Sequence, residues 1–291
     1  MNILYQLVLR NTKIFLRDKA TVFFSFLSVI IIIIMYVLFL GKMQTDTLSE
    51  AYNNVDGIDW LVSSWIMAGI LTVSTVTVPL SAIGTLINDR TTGVLNDFYT
   101  SPINRNLLAL SYLMSSWVIA FIMVGLNFIV GQTYVVIMGG EILGFISTIK
   151  ILGLVLLSIM TFSSLFFYIA LFMKTSNAFS TLATLIGTFI GFLGGIYIPI
   201  GVLGKNVQIV MNLLPSAHSV TLMRNIYMEG AIDKVFANAP IEAFEDYSFM
   251  FGLEVNIGDH LMSHFSLVIS MIAFGLFFYV LSVIKLSKSK L

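Results

Sequence analysis

The stretch INDRTTGVLNDFYTSPINRN, residues 87–106, is a polar island between two long apolar runs. The flanking runs, 60–87 and 107–138, each exceed the roughly 20 residues that a helix needs to cross a hydrocarbon core of about 30 Å. The island holds Asp89, Arg90, Asp97 and Arg105, which end the apolar pattern on both sides. Within it, Val94, Leu95 and Phe98 can share one face of a short helix. Pro102 disfavours helix at Ser101 and so stops that segment. A short amphipathic helix slung between two spans is a lever, because force applied to it reaches both.

Four further segments are long and apolar enough to span: 21–40, with VIIIIIMYVLFL at 29–40, and then 149–172, 178–197 and 264–284. Ten-residue units of alternating polarity are absent, so a transmembrane β-barrel is excluded. The composition agrees with an all-α integral membrane protein. Of 291 residues, 58% are hydrophobic and 10% charged, where a soluble domain carries about 25% charged residues. Mean hydropathy is +0.96. Disorder and a free cytosolic enzyme are excluded. The absence of cysteine excludes disulfides, thiolate metal sites and cysteine nucleophiles. The first apolar run lacks an A-x-A-like cleavage site, so a cleaved signal peptide is not expected.

Six spans put both termini on one side, and the basic residues choose which. With the termini inside, the inner stretches hold Arg10, Lys13, Arg17, Lys19, Arg90, Arg105, Lys174, Lys285, Lys288 and Lys290 against Asp18, Asp89 and Asp97. The formal net charge of zero therefore divides into +7 inside and −7 outside. No basic excess points to nucleic acid.

Residues 1–20 are too short and charged to span. Ile3, Leu4, Leu7, Val8, Ile14 and Phe15 recur at helical spacing, with Arg10, Lys13 and Arg17 largely on another face. An interfacial helix on the inner leaflet is expected, its cations toward lipid phosphates. Residues 41–59 and 139–148 read as short outer loops. Residues 198–263 are mixed in polarity and broken by Pro199, Pro215 and Pro240. Their first part fits re-entrant or interfacial short helices, because irregular backbone at membrane depth must be buried in protein. Their later part carries Asp233, Glu242, Glu245, Asp246, Glu254 and Asp259 and reads as an acidic outer cap. No internal repeat is visible, and residues 1–291 form one membrane domain with the inner loop at 88–106.

In the fifth span Ala183, Gly187, Gly191 and Gly195 recur every four residues, a spacing that lets helix backbones approach closely. Thr181, Thr184 and Thr188 add a polar stripe. The second span carries Thr72, Ser74, Thr75, Thr77 and Ser81, with Pro79 as a possible kink. A pathway or subunit interface and tight packing within one subunit both fit these patterns. The span cores carry essentially no acid or histidine, which disfavours an ion-driven carrier. Clustered acids, histidines or metal ligands for a lipid-modifying enzyme are likewise missing. His260 and His264, four apart, could share one helix face.

The inner loop resembles that of the ABC-2 type permeases, the membrane subunits of ATP-binding-cassette exporters. The family pattern is an acid, a basic residue, two variable positions, G-T-L-E, four variable positions, S-P and a basic residue. Asp89, Arg90, Gly93, Leu95, Ser101, Pro102 and Arg105 stand at those spacings. Val94 and Asn96 depart from it, with Asp97 one place after the missing glutamate. A second resemblance runs through Gly194, Gly195, Tyr197, Pro199, Leu214–Pro215 and Arg224, where the family has re-entrant outer helices. The resemblance implies a type V exporter-like fold in the cell membrane, with a coupling helix docking on a separate ATPase. It also implies a dimer whose second and fifth spans line the path. The working unit would hold two ATPase subunits, binding ATP and Mg, and a second permease subunit, identical or paralogous. The chain itself lacks a P-loop: Gly41–Lys42 and Gly204–Lys205 have neither the upstream glycine nor the following Ser/Thr. No cofactor is expected in this chain. The cargo would be a hydrophobic or amphipathic drug, antimicrobial peptide or lipid. The Ile-, Phe-, Lys- and Asn-rich usage suggests a bacterial source.

Overall fold

A computed structural model describes residues 3–52, 55–258 and 260–288. Asp259 and Lys290, which the charge assignment above includes, lie outside the described residues. Helix α1 (Ile3–Arg17) is followed by α2 (Lys19–Met35), a π turn at Tyr36–Leu40 and α3 (Gly41–Ala51). Then come α4 (Ile58–Thr91), α5 (Val94–Thr100), α6 (Arg105–Ile137), α7 (Phe145–Ala170) and α8 (Ser176–Leu193). The outer segment holds α9 (Lys205–Asn212), α10 (Pro215–Tyr227), α11 (Glu229–Val235) and α12 (Ile241–Phe251). A two-residue hairpin, β1 (Asn256–Ile257) with β2 (His260–Leu261), leads into α13 (His264–Lys288).

Among the described residues, α4, α6, α7, α8 and α13 are each long and apolar enough to cross a membrane. The first predicted span corresponds to α2 with its π turn, which meets α1 at a bend of 71°. Asp18 stands at that elbow and caps α2, accepting from the Thr21 backbone N–H at 3.1 Å and from Thr21 Oγ1 at 2.6 Å. Those hydrogen bonds hold its carboxyl below the usual carboxylate range.

The second span, α4, is the centre of the bundle. Within its apolar window 89% of residues are buried, against 17% in α8 and 22% in α13. Lipid is as apolar as leucine, so helices here are held by close packing and polar contacts more than by water exclusion. The buried hydroxyls of α4 follow that rule. Thr72 and Ser74 donate to carbonyls one turn back, and Asn127 of α6 donates to Ser74 Oγ at 3.1 Å.

Two expectations need correction. Residues 41–51 are not loop but α3, because Leu48, which is buried, recurs at helical spacing with Gln44 and Ala51. His260 and His264 do not share a helix face: His260 lies in β2, and His264 opens α13. The outer segment does fold back onto the bundle. α10 is buried along most of its length and packs on α4, α7 and α13. His218 joins it to its neighbours, with Nε2 donating to the Asn212 carbonyl at 2.9 Å and Nδ1 lying 2.7 Å from Ser270 Oγ.

Candidate coupling and pathway sites

The inner loop folds as the helical period requires. Gly93 has φ +83°, a left-handed conformation that suits glycine, and this lets the chain leave α4 and start α5 within two residues. At the other end the Ser101 hydroxyl donates to the Phe98 carbonyl at 2.7 Å, and Ser101 is extended ahead of Pro102. Leu95 is buried in the apolar cluster at the inner end of the bundle, and Phe98 and Tyr99 pack against it. Asn96, Asp97 and Thr100 are exposed on the opposite face. Pro102 is exposed as well, and the exposed Arg105 places its guanidinium 5.2 Å from the Tyr99 ring centre.

Asp89 and Arg90, which the motif puts in the coupling loop, turn inward. Asp89 is buried and takes both guanidinium nitrogens of Arg10, at 2.5 and 3.1 Å. The Tyr112 hydroxyl donates to the same carboxylate at 2.5 Å. One side chain thus ties α1, α4 and α6 together. Arg90 donates to the carbonyls of Ala170 and Met173 at 3.0 and 2.5 Å. Those carbonyls lie at and just beyond the α7 C-terminus, where a cation is favoured by the helix dipole. Arg10 also lies over the Phe98 ring at 5.3 Å, so α1 touches α5 directly. The sequence reading missed Arg10 and Tyr112 as partners. It placed Arg10 toward lipid phosphates; instead the buried acid draws it inward, while Lys13 and Arg17 remain exposed.

The proposed pathway residues separate. Thr75 is fully buried, its hydroxyl donating to the Thr72 carbonyl at 2.7 Å. Thr77 and Ser81 line an inner groove of about 380 Å³ between the α1–α2 elbow, α4 and the start of α8. Ser180, Ala183 and Asp18 line it too. Thr181, Thr184 and Thr188 are exposed on α8.

The glycines of α8 have different tasks. A Cβ at Gly191 would overlap the Tyr197 ring, whereas one at Gly187 meets nothing within 4 Å. Gly191 is therefore small for packing within the subunit. Gly191→Val is expected to lower the thermal midpoint of the purified protein by several degrees, the range for overpacking of about 1–3 kcal/mol. Gly187→Val is expected to leave that midpoint unchanged, and equal midpoints for both variants would refute the distinction.

At the outer end Arg224 is 1% exposed. Its guanidinium donates to the carbonyls of Phe251 and Gly195, both at 2.9 Å, and lies 4.4 Å from the Trp65 ring centre. Tyr36, in the π turn, donates to the Ile196 carbonyl. Tyr197 and Pro199 follow at the exit of α8, half-exposed, and Pro215 is the first residue of α10. Arg224 thus joins α4, the end of α8, α10 and the end of α12. The sequence pattern pointed to Arg224, Tyr197, Pro199 and Pro215 but not to Trp65 or Tyr36. A lone tyrosine, the one aromatic hydroxyl in the apolar run 21–40, is the available signal for Tyr36.

These features define a multi-pass helical membrane protein with a short helix, α5, slung between two spans and a segment between α8 and α13 that folds back onto the bundle. The sequence profile of ABC-2 type transporters matches residues 3–228, and the chain belongs to that family. It is accordingly a transporter permease subunit. No curated protein matches the chain.

Proposed function

We propose that the chain is the permease half of an ATP-driven exporter in a bacterial cell membrane, with both termini cytoplasmic. It carries a hydrophobic or amphipathic substrate, a drug, antimicrobial peptide or lipid, out of the cell. A separate ATPase, present in two copies, binds ATP and Mg and docks on α5. A second permease subunit, identical or paralogous, faces it across the α4–α8 side, where the exposed threonines of α8 and the inner groove lie. Membrane lipids cover the remaining apolar faces.

The observation that carries this reading is the two-sided character of α5. Its inner face is packed into the bundle through Leu95 and Phe98. Its outer face offers Asn96, Asp97 and Thr100 to a partner. Force on such an element reaches α4 and α6 with little slack. ATP closure shifts the permease only insofar as the ATPase binds its two states differently, and α5 is where that difference enters.

Asp97 is the cleaner probe, because Asp89 and Arg90 are engaged within the subunit. Co-purification with its ABC ATPase partner is expected to fail, or to weaken at least tenfold, for Asp97→Lys. The thermal midpoint of the permease alone should stay at the wild-type value. Unchanged association and unchanged permease-stimulated ATP hydrolysis would refute the docking role.

A further inference from the structure

A second cavity, about 480 Å³, opens on the outer side between α3, α12 and the residues after α8. It is separate from the inner groove. Its walls are aromatic: Tyr36, Tyr52, Trp65, Tyr197, Tyr247 and Phe251. From α3 it takes Met43, Gln44, Thr47, Leu48 and Ala51, which is one face of that helix. From α12 it takes Asp246, Tyr247, Met250 and Phe251, again one face. Two helices thus turn matched faces onto one space.

The charge within this cavity is one-sided. Among the described residues Asp246 is the only ionisable acid in its lining, and no lysine or arginine lines it. Asp246 is exposed, at the rim; burial, and after it the Asp246 carboxylate, pushes the Tyr52 phenol up. The Arg224 guanidinium lies behind the Trp65 wall and is bound to two carbonyls. A cation is therefore disfavoured deep in the cavity and favoured at its mouth. The Tyr247 hydroxyl is buried without a hydrogen-bond partner among the described residues.

We infer that this outer cleft is a binding site for a small amphipathic cation, its apolar or aromatic body against the Trp65–Tyr247–Phe251 wall and its ammonium at the Asp246 rim. Aromatic faces and a single carboxylate are the groups that recognise such a ligand, and the acidic outer side of the protein adds to its local concentration. An anionic amphipath of the same body meets Asp246 unfavourably. The site rests on the membrane reading only for the side it faces. It does not depend on the ATPase or on the direction of transport.

Dansylcadaverine tests this, since it carries a fluorescent aromatic body and a terminal ammonium. Its carboxylate twin, dansyl-6-aminohexanoate, has nearly the same body and the opposite charge. Binding is read on the full-length permease alone, in zwitterionic lipid nanodiscs, from tryptophan-to-dansyl energy transfer. Saturable binding is expected, about tenfold tighter for the ammonium than for the carboxylate. Asp246→Asn should weaken the ammonium by about threefold to fivefold, the scale of a partly exposed ion pair, and narrow the discrimination. Thr47→Phe, which fills the cleft from α3, should weaken both. Equal affinity for the two twins, an unchanged affinity in Asp246→Asn, or a signal indifferent to Thr47→Phe, as for partition into the bilayer, would each overturn the site. Because no ATPase is present, failure here is distinguishable from failure of the coupling role of α5.

Discussion

Replacing Asp89 by asparagine is expected to destabilise this end of the bundle, with about 3–5 kcal/mol as the cost of breaking a fully buried ion pair from one side. Asp89 has a side chain 5% exposed, while that of Arg10 is 30% exposed, so the freed guanidinium recovers some hydration and the lower half of the range applies. The Tyr112 hydroxyl loses a charged acceptor at the same time. The functional consequence should exceed the stability loss. Arg10 rests on Phe98, so releasing it detaches α1 from α5 as well as from α4. ATP hydrolysis by the associated ATPase should then lose its dependence on the permease. The double variant Arg10→Met with Asp89→Leu removes both charges and should recover part of the midpoint lost by either change alone. Additive losses in the double variant would show that the two side chains do not act as a unit.

Replacing Arg224 by methionine is expected to be the most damaging single change on the outer side. Methionine keeps most of the stem but leaves the Phe251 and Gly195 carbonyls without their donor, at about 1–3 kcal/mol for each buried group. It also removes a cation from the Trp65 face, worth about 0.5–2 kcal/mol. A net loss of about 3–5 kcal/mol is large enough to release the outer segment before the spans unfold. Limited proteolysis should then cut first within 200–260 at temperatures where the wild type resists. Arg224→Lys should be intermediate, because an ammonium lacks the planar fork that reaches two divergent carbonyls. Wild-type resistance in Arg224→Met would remove the knot from the account of how the outer segment is held.

The fold was readable in the sequence because membrane solvation writes a coarse pattern. Runs of about twenty apolar residues and the asymmetry of lysine and arginine predict six spans and their sidedness, and the helices stand where those runs are. The short helix α5 was readable for a local reason: Gly93, Leu95 and Ser101–Pro102 act through turn geometry, burial and proline sterics within a few residues. The sequence reads 41–51 as loop because its few charges outweigh the spacing of Gln44, Leu48 and Ala51, which matters only once α4 and the π turn are there to meet it. Asp89, Arg90 and Arg224 were recognised as special, but their tasks were not. A charge beside a span reads the same whether it meets a partner protein, a lipid phosphate or a buried side chain.

The sequence by itself determined the class of protein, the order of its apolar segments and the position of the short helix between two of them, since each depends on neighbours close along the chain. Tertiary structure alone decided that Arg10 meets Asp89 across 79 positions, that Gly191 makes room for Tyr197, and that α3 and α12 enclose one outer cleft. Such pairings are chosen by which faces come to pack together, and apolar helices in lipid carry little in their composition to say which faces those are.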